Sequence, residues 1–146
     1  MADNTPTQSL RLYKKEKLCS AIAIGQLFGP GAADDVNSAL AYPLRMVWRN
    51  NPRRSSDAAV QFLVSIPKKR IRHAVDRVLM RRRVREAFRL IRHQYPVDPA
   101  LRLDVAFIYV GNAKEPYDRV ERSMSRLLKT LSHTAPASAN PYEAGA

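Results

Sequence analysis

Residues 68–93, KKRIRHAVDRVLMRRRVREAFRLIRH, constrain the fold of this chain more than any other stretch. Eleven of these residues are Lys or Arg and only Asp76 and Glu86 are acidic, so the segment carries +9 of the chain's formal +12. Placed on a wheel of about 3.6 residues per turn, residues 73–93 separate into stripes. Met80, Val84, Ala87, Phe88 and Ile91 share one face, which predicts an amphipathic helix docked on a core through that face. Beside it Arg77, Arg81, Arg85 and Arg89 recur at i+4, flanked by Arg82 and Arg92. Each like-charge pair at that spacing costs an isolated helix roughly 0.2–0.5 kcal/mol, so the ladder opposes its own folding by about 1 kcal/mol.

The residue type narrows what could offset that repulsion. The charges on the helix are Arg rather than Lys, and a guanidinium presents a planar fork that grips phosphate through two hydrogen bonds. A helix of about 21 residues spans roughly 31 Å, enough to follow several phosphates of a nucleic-acid backbone. The preceding loop adds Lys68, Lys69, Arg70 and Arg72 at the N-terminal end of the helix, where backbone N–H groups also favour anions. Lys68, Lys69, Arg70, Arg72, Arg77, Arg81, Arg82, Arg85 and Arg89 are therefore the candidate nucleic-acid-binding residues. The bland alternative is a solvated helix face, but acidic partners are scarce on it. An anionic membrane is a second alternative, weakened because the apolar stripe holds only five residues and is needed for folding.

The remainder fits one domain. The chain has 146 residues, enough for a single core, and its 45% hydrophobic content suits a folded protein. Cys19 is the only cysteine, which excludes an internal disulfide and suits a reducing, cytoplasmic setting. The opening MADNTPTQSL lacks the apolar run of an export signal, and nowhere do 18 apolar residues follow one another. Residues 1–9 and 134–146 are polar or small and Pro-containing and are expected to be disordered, leaving 10–133 as one domain.

Within that domain the hydrophobic period changes several times. Residues 15–28 read as a helix stopped by GPG at 29–31, followed by a polar loop, AADDVNS. Tyr42, Leu44, Met46 and Trp48 alternate on one face of a strand whose Pro43 places it at an edge or marks its beginning. NNPRRSSD forms a turn, and Val60, Phe62, Val64 and Ile66 alternate on a second strand ended by Pro67. LDVAFIYV at 103–110 reads as a strand covered on both faces. From Pro116 to His133, Val120, Met124, Leu127, Leu128 and Leu131 form one helical stripe. The order predicts an α+β fold, an α/β sandwich on one small mixed sheet. A strand-helix-strand unit over 60–110 suggests two parallel strands, with a right-handed crossover as the general default.

Ala74, Val75, Arg77, Arg82, Arg85 and Glu86 reproduce a further pattern, and with Arg81 in a position usually held by Lys they make the segment resemble the signature of the bacterial ribonuclease P protein subunit. Val78 departs from it, since the family has Asn there, and the contact associated with that Asn is in doubt. The resemblance extends over roughly residues 10–132. It implies a left-handed βαβ crossover of a ribosomal-protein type, against the default. It also implies a 1:1 ribonucleoprotein in which a catalytic RNA with Mg²⁺ removes the 5′ leader of precursor tRNA. The protein would bind that RNA through the basic motif and hold the leader between the sheet and the first helix. Phe28 matches a leader-contacting aromatic, Trp48 aligns with a second, and Tyr42 shares the strand face of Trp48.

No nuclease constellation stands out in the polypeptide itself. His73, His93 and His133 are far apart in sequence, and no two carboxylates are spaced for acid/base work. A ribosomal protein or RNA chaperone remains the alternative, sharing the charge and the small sheet.

Overall fold

The computed structural model describes residues 12, 14–18, 20–28, 36–51, 59–98 and 100–134. Residues 1–9 and 135–146 of the ends expected to be disordered, and most of the 50–57 turn, lie outside them. Seven elements follow one another: α1 (Ala21–Leu27), β1 (Asn37–Ala41), β2 (Leu44–Asn50), β3 (Val60–Ser65), α2 (Ala74–Ile91), β4 (Leu103–Tyr109) and α3 (Tyr117–Ser132). The four strands form one mixed sheet in the order β1-β2-β4-β3. β2 runs antiparallel to both β1 and β4, while β3 and β4 are parallel, Val60 opposite Leu103 and Phe62 opposite Val105. A parallel pair needs a long crossover, and α2 supplies it.

The pleat sorts side chains onto two faces. On one, Leu44, Met46 and Trp48 of β2, Phe62 of β3 and Leu103, Val105, Phe107 and Tyr109 of β4 pack with α2 and α3. α2 contributes Met80, Val84, Ala87, Phe88 and Ile91, the five residues the helical period predicts, and α3 contributes the expected Val120–Leu131 stripe. Phe88 anchors α2 against Phe62 at 4.2 Å and Phe107 at 5.7 Å between ring centroids. On the other face Val47 and Ala106 pack with Leu18, Ala23 and Leu27, so α1 covers the sheet from the opposite side. β4 is buried on both faces, as its apolar run predicts.

Three expectations are corrected. The helix expected over 15–28 is split: Lys14–Glu16 forms one 3-10 turn, Lys17 bridges to Phe62 beside the edge of β3, and the α-helix begins only at Ala21. The Leu18 N–H donates to the Phe62 carbonyl at 2.9 Å, so this segment satisfies backbone groups at a sheet edge and cannot also be helical. Ser20 then caps the short helix, its Oγ accepting from the Ala23 N–H at 3.3 Å. The AADDVNS loop is shorter than expected, since its last two residues open β1. Tyr42 is not on the strand of Trp48: Tyr42 and Pro43, joined by a cis peptide bond, form the turn between β1 and β2. β2 starts after Pro43 and is internal to the sheet.

Two measurements test this packing. Phe88→Ala should remove about 3–5 kcal/mol of unfolding free energy in a urea titration, because it leaves a cavity against the Phe62 and Phe107 rings. Burial pushes the Tyr109 hydroxyl up to about 12, and the nearby Glu115 carboxylate and Tyr42 act in the same direction. With the folded value raised, Tyr109 stabilises the fold fully below the ordinary tyrosine range near 10 and progressively less as pH rises towards 12. A spectrophotometric titration should show a late phenolate step that Tyr109→Phe removes.

Candidate nucleic-acid interface

The loop ahead of α2 is a fixed platform. The Pro67 carbonyl accepts from the Arg70 N–H at 2.9 Å and the Ile71 N–H at 3.1 Å, closing a tight turn, and Ile71 is buried in the core. Arg77, one helical turn into α2, reaches back and donates to the carbonyls of Ile71 at 3.0 Å and Arg72 at 2.7 Å. Arg70 donates to Asn112 Oδ1 at 2.8 Å, tying the loop to the segment after β4. Lys68, Lys69 and Arg72 are left exposed on this braced turn. Asp76 in the first turn of α2 complements the helix dipole and pairs with Lys114 at 3.2 Å.

The nine candidate cations thus divide into two groups. Arg70, Arg77 and Arg89 have partners within the protein: Arg89 makes a bidentate pair with Glu86, its Nε at 3.1 Å and Nη2 at 2.5 Å from the two carboxylate oxygens. The hydrogen bond from Arg89 holds the Glu86 carboxyl below its usual range. Arg82 and Arg83 also lie within one turn of Glu86, but it is the Arg89 guanidinium fork that meets both oxygens. Arg83 instead donates to the Glu115 carbonyl at 2.6 Å, joining α2 to the start of α3. The side chains of Lys68, Lys69, Arg72, Arg81, Arg82 and Arg85 make no hydrogen bond or ion pair among the described residues. Arg81 and Arg85 border a groove of about 410 Å³ along the edge of β3, beside Lys17, Leu18, Phe62 and Val64. A nucleic-acid strand meeting them would disrupt no internal bond.

The aromatic candidates do not gather. Phe28 follows α1 and packs on the α1 side of the sheet with Val47 and Ala106. Trp48 points to the opposite face, 7% exposed, within the core beneath α2 and α3. The expectation of one open face shared by Tyr42, Met46 and Trp48 is corrected, because β2 turns its even-numbered side chains into the core. Its odd-numbered residues, Arg45, Val47 and Arg49, face α1 instead. Arg45 is exposed and Arg49 donates to Gln26 Oε1 on α1 at 2.7 Å. Neither arginine stands among the sequence candidates, although the same alternation contains them once Trp48 is assigned to the core. Ile22, 77% exposed, and Leu40, 70% exposed, lie on this side too, giving a part-apolar, part-basic surface beside α1.

The carboxylates offer little to a divalent cation. Glu16 pairs with Arg92, Glu86 with Arg89, Glu115 with Arg119 and Asp118 with Arg122, while buried Asp104 accepts from Asn51 Nδ2 at 3.0 Å. Among the described residues no three His, Cys, Asp or Glu side chains gather into one cluster. This donor set does not fit a resident magnesium ion. Among them, too, no helix is long and apolar enough to cross a membrane.

A small mixed sheet with helices on both faces, bearing six unpartnered cations on one helix and its leading loop, defines a polyanion-binding α+β domain. Known sequences sharpen that class. Residues 32–132 match the family model of Ribonuclease P. Proteins named ribonuclease P protein component in two strains of Porphyromonas gingivalis are 33% identical to it over 138 residues, covering 92% of this chain and 96% of theirs. A third, from Chlorobium phaeobacteroides, is 30% identical over 88 residues, 53% of this chain and 60% of that protein. The chain belongs to the ribonuclease P protein component family. Its function is that of the family: a protein subunit of ribonuclease P that partners with the ribonuclease P RNA and serves tRNA processing.

The six unpartnered cations carry the next expectation. Affinity for the ribonuclease P RNA should fall with salt by roughly 0.7–0.9 log units per phosphate contact per log unit of salt. Arg81→Ala with Arg85→Ala should reduce that slope by about 1.5–2, while Arg77→Ala, which unlatches the loop, should also lower the melting temperature. Filter binding across a salt series with parallel thermal melts checks both; an unchanged slope in the double variant would remove the ladder from the interface.

Proposed function

We propose that this subunit grips the catalytic RNA through Lys68, Lys69, Arg72, Arg81, Arg82 and Arg85, with Arg70, Arg77 and Arg89 holding the platform, and presents the 5′ leader of precursor tRNA to it. The observation that carries the reading is that these six cations stand together without partners among the described residues, on a braced loop and one docked helix. Cleavage belongs to the RNA, with Mg²⁺ held mainly by RNA phosphates; among the described residues Glu16, Glu86, Glu115 and Asp118 pair with arginines of the chain itself. The partnership is one protein to one RNA, in the cytoplasm, through the single domain of residues 10–133.

The leader lies along the α1 side of the sheet, where Phe28, Ile22, Leu40 and Arg45 provide apolar surface and charge. An aromatic ring stacks any base, which suits leaders of differing sequence. Trp48 and Tyr42 have no part in this cleft. Phe28→Ala should weaken holoenzyme affinity for precursor tRNA by about 1–3 kcal/mol while affinity for mature tRNA hardly changes. Equal losses for both ligands would make Phe28 a packing residue only. Purified protein freed of RNA should cleave no precursor tRNA between about pH 6 and 9, where His and metal-bound water titrate; cleavage surviving that treatment would overturn RNA-based catalysis.

A further inference from the structure

The α2 ladder and the α1 cleft leave one side of the molecule unused, and that side is basic as well. Arg119, Arg122, Arg126, Lys129 and His133 follow one another at i, i+3, i+7, i+10 and i+14, opposite the buried stripe of α3. Arg119 and Arg122 pair with carboxylates one turn back, at 3.3 Å from Glu115 and 3.4 Å from Asp118, and both arginine side chains are more than half exposed. Pairs this exposed contribute little and exchange readily for another anion. Arg126 and Lys129 make no side-chain hydrogen bond or ion pair among the described residues.

The stripe borders a sheet edge. Among the described residues β1 pairs only with β2, so its outer side is the free edge of the sheet. Ser123 Oγ donates to the Ala41 carbonyl at one end of β1, while Thr130 and His133 share a cavity with Asn37 at the other, so α3 runs opposite to β1 along its length. Each end holds a cavity. That of about 220 Å³ is lined by Tyr42, Arg119, Arg122, Ser123 and Arg126; that of about 290 Å³ by Asn37, Trp48, Thr130, His133 and Thr134. Tyr42 is 54% exposed. Trp48 Nε1, by contrast, is a buried donor with no acceptor among the described residues, a condition that costs free energy unless something entering the cavity supplies one.

We infer that the groove between α3 and the free edge of β1 is a second site for the sugar-phosphate backbone of RNA. Arg119, Arg122 and Arg126 meet phosphates, Tyr42 offers its ring to a base, and the far cavity gives Trp48 Nε1 an oxygen acceptor. The charge favours RNA over an added peptide strand, which would need apolar pockets rather than three guanidinium groups beside the strand edge. The site is distinct from the ladder. Arg81 and Arg85 border β3, and the order β1-β2-β4-β3 sets β3 and β1 at opposite edges, three strand spacings or about 14 Å apart. With both edges occupied, one small protein holds two RNA segments in a fixed relation.

The test is a triple variant, Arg119→Ala, Arg122→Ala and Arg126→Ala, run beside the Arg81→Ala, Arg85→Ala variant. If the strand belongs to the ribonuclease P RNA, the triple variant lowers the salt slope of RNA binding by about 2–2.7. If it belongs to the substrate, that slope is unchanged and the holoenzyme's salt slope for precursor tRNA falls by the same amount. Either result supports the site. The chain has a single Trp, so its indole N–H gives one nitrogen-15 NMR signal. That signal should shift when a short single-stranded RNA is added to the wild type and stay still in the triple variant. A triple variant that matches wild type for both RNAs while the ladder variant weakens binding overturns this inference and leaves the subunit function intact; loss of both effects would count against the ladder as well. Unchanged RNA binding with lost self-association in sedimentation would make the β1 edge an interface between copies of the chain and also overturn it.

Discussion

Phe88 against Phe62 and Phe107 is the contact on which the rest depends. α2 carries charges that repel one another along its own length, which disfavours the helix in isolation. Docking the Met80–Ile91 stripe on the sheet offsets the repulsion, and the aromatic cluster sits where the stripe meets the central strand and its parallel neighbour. The same contact sets the direction in which the unpartnered arginines project. The buried stripe and the unpartnered cations are therefore two sides of one helix, and substitutions in the buried stripe will disturb both.

The distribution of acidic residues follows from that arrangement. Each carboxylate of α2 meets a cation that ties or orients part of the fold. Asp76 holds Lys114 from the β4–α3 connection, and Glu86 orients Arg89. Arg83 and Arg92 turn towards neighbouring segments, Arg83 to the Glu115 carbonyl and Arg92 to Glu16 while lying 5.8 Å over the Phe88 ring. What remains unpaired among the described side chains is Lys68, Lys69 and Arg72 on the loop, Arg81 and Arg85 on the β3 side of the helix, and Arg82 beside Glu86. A net charge of +12 says that such a protein attracts polyanions; the pairing pattern adds which of its cations are not already engaged.

Much of this was legible in the residues themselves. The α2 and α3 stripes, the double-sided burial of β4 and the parallel β3–β4 pair follow from hydrophobic period and order, because in each the apolar pattern is long enough to specify a face. The 15–28 region failed because helical spacing of apolar residues says nothing about a sheet edge that needs backbone partners, and Ser20, the cap that marks the real start, was available as a signal. β1 is short, half exposed and polar at its start, so it has no period to read. Trp48 was misplaced because alternation gives two faces without saying which is core; the arginines at 45 and 49 settle it. Arg77 resembled its neighbours in the ladder, and nothing in sequence spacing distinguishes an arginine that holds a carbonyl from one that faces solvent.

That distinction at Arg77 has a kinetic side. Long-range attraction between a basic surface and RNA depends on charge alone, so the encounter is drawn as fast by a floppy loop as by a rigid one. Holding on is different. Lys68, Lys69 and Arg72 stand on a turn already closed by Pro67, rooted by Ile71 and latched by Arg77, so seating a phosphate among them freezes little backbone motion that was not frozen beforehand. Under the proposed reading such a latch would act on how long the two molecules stay together rather than on how often they meet, through an arginine already committed to the loop's own carbonyls.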